Sequence, residues 1–274
     1  MDDAIDTQTR LPVGLGLPSL LYGRLSLAEA LELLAPRTSL VEIHSYGRHS
    51  LLCAENRGAA ERGGLMFVVH GPYSSELDPA SLDEVRRRWV VNEHRRQAEA
   101  AAEIGARCYV AHPDRRPQAG PFDPASGDAL RRTLAELECV QDEVGLPIGI
   151  ENMPGYGLSH FSAPGDLDLG ELGLVLDCGH AAISGTLQAF LEDPAADLVH
   201  VHLHSNDGPC EPDDPHRPLG QGIVDAAPVL ALARTVGATV TLEHDDDAAA
   251  AASISYLAAR GLLGVGVTDA APDA

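Results

Sequence analysis

Short runs of β-branched and aliphatic residues alternate along the chain with longer Ala/Leu-rich stretches of helical period. Strands buried on both faces and covered by helices produce this pattern, which predicts a parallel α/β fold. The apolar runs predict eight strands, at Val13–Leu17, Leu40–His44, Met66–His70, Cys108–His112, Ile148–Glu151, Leu174–Asp177, Leu198–Leu203 and Thr239–Glu243. Helices are predicted between them, among others at Ser26–Leu34, Ser81–Ile104, Gly127–Val144, Thr186–Leu191, Ala226–Thr235 and Ala248–Ala258. Ser26 precedes Glu29, and Ser81 precedes Glu84, by the three residues of a reciprocal helix cap. The chain has 274 residues, no Pro/Gly/Ser-rich linker and no short repeat. A single (β/α)8 barrel over residues 1–274 follows, with polar tails at 1–10 and 266–274.

Composition narrows the partners. Hydrophobic residues make up 45% and charged residues 22%, as in ordinary globular chains, and no apolar run approaches the ~18 residues of a membrane span. The acidic start Met1-Asp2-Asp3 has no basic and apolar leader pattern, so a cytoplasmic location is expected. Five cysteines (Cys53, Cys108, Cys139, Cys178, Cys210) form no CxxC pair and are expected as free thiols. The net charge is -22 and all 19 basic residues are arginine. Such a surface repels a phosphate backbone, which argues against duplex nucleic acid as a partner. Arg86, Arg87, Arg88, Arg95 and Arg96 are expected on the solvated face of one long helix.

The chemistry lies at the strand ends. In a barrel of this kind the loops after the strands build the active face. Here those ends carry Glu42 and His44, His70 and Tyr73, His112 and Asp114, Glu151 and Asn152, Asp177 and His180, His200, His202 and His204, and Glu243 and His244. One histidine after a strand is ordinarily a hydrogen-bonded loop residue. So many converging imidazoles and carboxylates are costly to desolvate unless divalent cations compensate them, and the mixed donors suit Zn, Mn or Fe.

These ends resemble the xylose-isomerase-like TIM-barrel superfamily, and within it the endonuclease IV family of metal-dependent phosphodiesterases. The resemblance covers strands three to eight. His70 with Tyr73 matches an HxPY motif, His112 the next strand end, and Glu151 an ENxxGxG motif read as Glu151-Asn152-Met153-Pro154-Gly155-Tyr156-Gly157. Asp177 and His180 match DxxH, His202 the following strand end, Asp214 and His216 the loop ending Leu219-Gly220-Gln221-Gly222, and Glu243 the last strand end. The loop departs from the family's LGEG, and His204-Ser205-Asn206-Asp207 replaces a shorter motif.

The resemblance implies up to three cations, held by His70, His112 and Glu151, by Glu151, Asp177, His202 and Glu243, and by His180, Asp214 and His216. It implies hydrolysis of a small phosphorylated or nucleotide-like ester, with water activated between metals. The alternative is a sugar isomerase or epimerase, whose single cation Glu151, Asp177, His202 and Glu243 hold while the catalytic pair Glu151 and Glu243 exchange a proton at carbon. A third reading is a barrel that binds a ligand without turnover. Tyr73, Glu42 and His44 are the candidate substrate contacts. For Glu42, His44 and His49 the competing reading is a solvated loop, and for His160, His200 and His204 an ordinary hydrogen-bonded side chain.

Overall fold

A computed structural model describes residues 10–62, 64–74, 76–114, 123–211 and 213–264; apart from Arg10, the two expected tails lie outside the described residues. Eight parallel strands close on themselves in chain order: β1 (Leu15–Pro18), β2 (Leu40–His44), β3 (Met66–His70), β4 (Tyr109–Ala111), β5 (Ile148–Glu151), β6 (Gly173–Asp177), β7 (Leu198–Leu203) and β8 (Thr239–Leu242). Around them run α1 (Leu27–Leu34), α2 (Ala54–Arg62), α3 (Glu84–Glu103), α4 (Pro124–Val144), α5 (Cys178–Ser184), α6 (Leu187–Glu192), α7 (Ala226–Val236) and α8 (Asp247–Ala259). The protein is the (β/α)8 barrel that the alternation predicts. Among the described residues no helix is long and apolar enough to cross a membrane.

Helix starts follow side-chain chemistry. Ser26 Oγ accepts from Glu29 N while Glu29 Oε2 accepts from Ser26 N, so the predicted cap of α1 forms. The cap predicted at Ser81 does not. Asp83 caps α3 by accepting from Val85 N and Arg86 N, and Glu84 turns instead to Arg87 and Arg88. A carboxylate two residues nearer the first turn outcompetes the hydroxyl. The arginine run is likewise not uniformly solvated. Arg87 is 1% exposed, held by Glu84, Glu136 and Thr133 in the seam between α3 and α4. Cys53, Cys108, Cys139 and Cys178 are free thiols.

Two apolar layers fix the barrel. The larger packs the outward strand residues against the helices. The smaller, formed by Leu40, Val68, Cys108, Val110 and Val175 with Met66 and Val199, fills the inside. A register shift lies where β6 meets β7. There Val199 joins the inner apolar layer while the next residue, His200, bonds Glu42. Beyond the shift the two-residue period of a strand carries His200, His202 and His204 up the same wall, above the apolar plug.

Candidate metal centre

Polar side chains begin directly above the plug. Glu42, fully buried, takes His202 Nε2 at 3.0 Å and His200 Nε2 at 3.4 Å, while His200 also bonds Thr239 and Thr241. The solvated-loop reading of Glu42 therefore fails, and its partners are histidines below the cavity. His49 is buried on Ser19 and the Leu25 carbonyl. His44 is 1% exposed, stacks on His70 at 4.8 Å and has no hydrogen-bond partner at either nitrogen. His160 anchors a loop through Asp114.

Above Glu42 the donors converge in groups. Glu151, Asp177, His202 and Glu243 each offer one atom within 4.8 Å of the others, and all four are buried. His70, His112 and Glu151 form a second group, His180, Asp214 and His216 a third, and His204, His216 and Glu243 a fourth. The structure thus brings together all nine residues named by the motifs. It adds His204, which the motif match passed over but which the two-residue period placed on the same wall as His202.

The hydrogen bonds test whether a cation fits. His70 Nδ1 lies 2.7 Å from the Gly71 carbonyl, which can only accept, so that nitrogen carries the hydrogen. The lone pair of Nε2 then faces Glu151 Oε2 at 3.2 Å. His180 repeats this arrangement, with Nδ1 donating to the Asn152 carbonyl at 2.8 Å and Nε2 facing Asp214 Oδ2 at 2.9 Å. His202 is held from behind by Glu42, and its Nδ1 faces Glu243 Oε2 at 3.1 Å and Glu151 Oε1 at 3.4 Å without an aligned hydrogen bond. Three imidazoles are each anchored through the far nitrogen and point a lone pair at a carboxylate. Two acceptors face each other stably only with a proton or a cation between them. Buried atoms without partners, among them His112 Nδ1, Asp214 Oδ1 and Glu243 Oε2, extend the same pattern. The donor set fits divalent cations.

Without a cation, protons take this place. Burial lowers histidines and raises acids; it prevails at His112, which is lowered despite facing Glu151, while at His180, His216 and Glu243 the mutual charges prevail. Against burial, Asp177 and then Asp214 lift His180 to about 10, while Glu243 and then Asp214 lift His216 to about 9. The imidazoles of His202 and then His216 bring Glu243 down to about 2 against its burial. His44, lacking a carboxylate partner, is pushed by burial down to about 3 and is neutral.

A cavity of about 600 Å³ opens over these groups, the size of a small-molecule site. His70, His112, Glu151, His180, His216 and Glu243 form its floor, with Tyr73 and Tyr156 on the wall. Tyr73 stacks on His112 at 4.7 Å and stays 38% exposed. The backbone fits the site closely. A Cβ on Gly71 would lie 2.1 Å from the Tyr109 hydroxyl, so only glycine leaves the turn after His70 in place. Asn152 ties β5 to β6 by donating to the Asp177 carbonyl and accepting from Asp177 N.

The model of a family described as xylose isomerase-like TIM barrel matches residues 28–260. The chain is 30% identical over 242 residues to the uncharacterized protein MJ1311 of Methanocaldococcus jannaschii, covering 83% of this chain and 81% of that one. Among solved structures, a D-tagatose 3-epimerase-like protein superposes with a TM-score of 0.78 at 28% identity, over 91% of this chain and 98% of that one. The 3-keto-D-glucoside 4-epimerase YcjR of E. coli superposes with a TM-score of 0.71 at 18% identity, over 90% and 99%, a likeness of fold alone. Sequence match, closed barrel and strand-end donors agree, and the chain belongs to the xylose isomerase-like TIM-barrel family.

Proposed function

We propose that the protein is a metal-dependent isomerase or epimerase of a small carbohydrate, with Glu151 and Glu243 as the pair that moves a proton at carbon. The observation that carries this reading is the buried group of Glu151, Asp177, His202 and Glu243, two glutamates on one cation position at the floor of a sugar-sized cavity. The 28% identical D-tagatose 3-epimerase-like structure supports it. A bound Mn or Zn ion would polarise the substrate carbonyl as a Lewis acid.

The chain's own groups do the rest. One glutamate takes the proton from the carbon beside the carbonyl, the electron pair moves onto the carbonyl oxygen, and the other glutamate returns a proton to the opposite face. Product and substrate then have the same composition and no co-reactant is consumed. Asp177 and His202 hold the cation, Glu42 and Asn152 hold those two in turn, and Tyr73 and Tyr156 wall the cavity against water.

A second reading, hydrolysis of a small phosphodiester, is favoured by the three further donor groups, which a one-cation isomerase leaves without a role. Its substrate is a small molecule in either case, because the net charge of -22 disfavours a polyanion. One experiment separates the two. The Mn- or Zn-loaded protein is incubated in D2O with a panel of ketoses and, separately, with bis-p-nitrophenyl phosphate. One deuterium at the carbon next to the carbonyl, lost in Glu151→Gln and Glu243→Gln, is the expected result. Ester cleavage with no exchange into any sugar would overturn it in favour of hydrolysis.

A further inference from the structure

His204 has no assigned role in either reading, and its surroundings give it one. The ring is fully buried on β7's extension, and its Nε2 lies 3.1 Å from Asp177 Oδ1. A carboxylate only accepts, so Nε2 carries the hydrogen and the lone pair sits on Nδ1. That Nδ1 is buried and has no hydrogen-bond partner, with Asp214 Oδ1 at 3.9 Å. His216 is arranged alike: Nε2 meets Asp214 Oδ2 at 2.9 Å, and Nδ1 is again buried without a hydrogen bond, with Asp245 Oδ1 at 3.8 Å. The two rings stand 4.2 Å apart, and Glu243 Oε2, which faces His202 Nδ1 at 3.1 Å, is a third buried atom without an aligned hydrogen bond. His204, His216 and Glu243 each offer a ligating atom within 4.8 Å of the other two.

We propose that His204, His216 and Glu243 form a cation position of their own, beside the one at Glu151, Asp177, His202 and Glu243. Two imidazoles and one carboxylate suit Zn or Co, whereas three carboxylates and one imidazole make the neighbouring position better for Mn. Glu243 belongs to both groups, and its two oxygens let one carboxylate serve both cations. The backbone is shaped around this ring. A Cβ on Gly179 would lie 1.9 Å from His204 Cε1, so the glycine of the Asp177-Cys178-Gly179-His180 turn is what leaves His204 its place. The proposal does not depend on which reaction the site performs. It also competes with a cation at His180, Asp214 and His216, which would need the Nε2 face of His216 instead.

The test is metal stoichiometry. Apo protein is titrated with Mn2+ and with Co2+, followed by elemental analysis and the visible bands of Co2+, in wild type, His204→Ala and Gly179→Ala. The expected result is one Co2+ fewer per chain in both variants, while one Mn2+ per chain still binds, its affinity lowered about tenfold by loss of the His204–Asp177 bond. Wild-type crystals soaked in Co2+ should show an anomalous peak within about 2.1 Å of His204 Nδ1, a result that does not require either variant to fold. Unchanged Co2+ stoichiometry would overturn the proposal. So would a peak bonded to His180 and Asp214 with none at His204, or loss of Mn2+ and Co2+ together, which would mean that His204 acts only by holding Asp177.

Discussion

Replacing Glu42 tests whether the polar layer beneath the cavity supports the metal centre. The carboxylate is fully buried, 3.0 Å from His202 Nε2, while His202 Nδ1 faces the carboxylates of Glu151 and Glu243. Anchoring one ring nitrogen fixes the other, and removal of such an outer partner ordinarily lowers metal affinity about 10–100-fold, or about 1.4–2.7 kcal/mol. Glu42→Ala should show that full loss, because among the described residues Glu42 is the hydrogen-bond partner of His202 Nε2. Glu42→Gln keeps an oxygen acceptor but not its charge. Charged hydrogen bonds exceed neutral ones by about 1 kcal/mol, so the Gln variant should bind about fivefold more weakly than wild type. His200 is not stranded in either variant, since Thr241 stays 3.1 Å from its Nε2. Calorimetric titration of the apo protein with Mn2+ measures the three affinities in order. If both variants bind Mn2+ within twofold of wild type, or if only the substrate KM rises, Glu42 does not orient His202 and the argument fails.

Two further perturbations probe the frame. Arg87→Met removes the buried guanidinium but keeps a stem between α3 and α4; Glu84 and Glu136 are 46% and 44% exposed at their side chains and pass to water, so urea denaturation should show a loss of only about 1–2 kcal/mol. A loss above 4 kcal/mol would mean that the seam depends on the charge itself. His94 Nδ1 shares a 2.8 Å hydrogen bond with the Tyr109 hydroxyl and is pushed down to about 4 by burial, with His112 and His70 adding to it. The unfolded chain takes that proton near 6.5. Its contribution is therefore whole above pH 6.5 and is lost as pH falls toward 4, at about 1.4 kcal/mol per unit. Between pH 6.5 and 5 the apo wild type should lose about 2 kcal/mol more than His94→Gln, and equal losses would refute this.

Strands were legible because a parallel strand buried on both faces leaves a continuous apolar run. β2, β3, β5 and β7 fall at the residues the pattern gives. β1 begins later because Val13 is 43% exposed at a turn, its apolar side chain spent outside the sheet. Helix α2 escaped the pattern because only Ala59 and Ala60 of its nine residues are buried, too little to write a stripe. Helix α5 escaped for a different reason: it starts at Cys178, directly on a strand end, with Asp177 accepting from His180 N as its cap. The residue that reads as a ligand is also the start of a helix.

For the site, motif spacing identified side chains by their place on the strand ends, and the barrel brings all nine together. What spacing does not carry is depth. Glu42 and His44 sit at the end of one strand and resemble a pair, yet Glu42 lies beneath the donors on His200 and His202, while His44 stacks beside them with both nitrogens unpartnered. The two-residue period explains why His204 was within reach of sequence reasoning and was still passed over. His200, His202 and His204 share one wall, but the barrel's depth differentiates them: His200 meets Glu42, His202 bridges Glu42 and the four-donor group, and His204 reaches that group through Asp177. Ligand identity follows from which lone pair remains after each far nitrogen is anchored. Those anchors are a buried glutamate, two carbonyls and an aspartate brought from other strands and turns. They become visible only when the chain is folded.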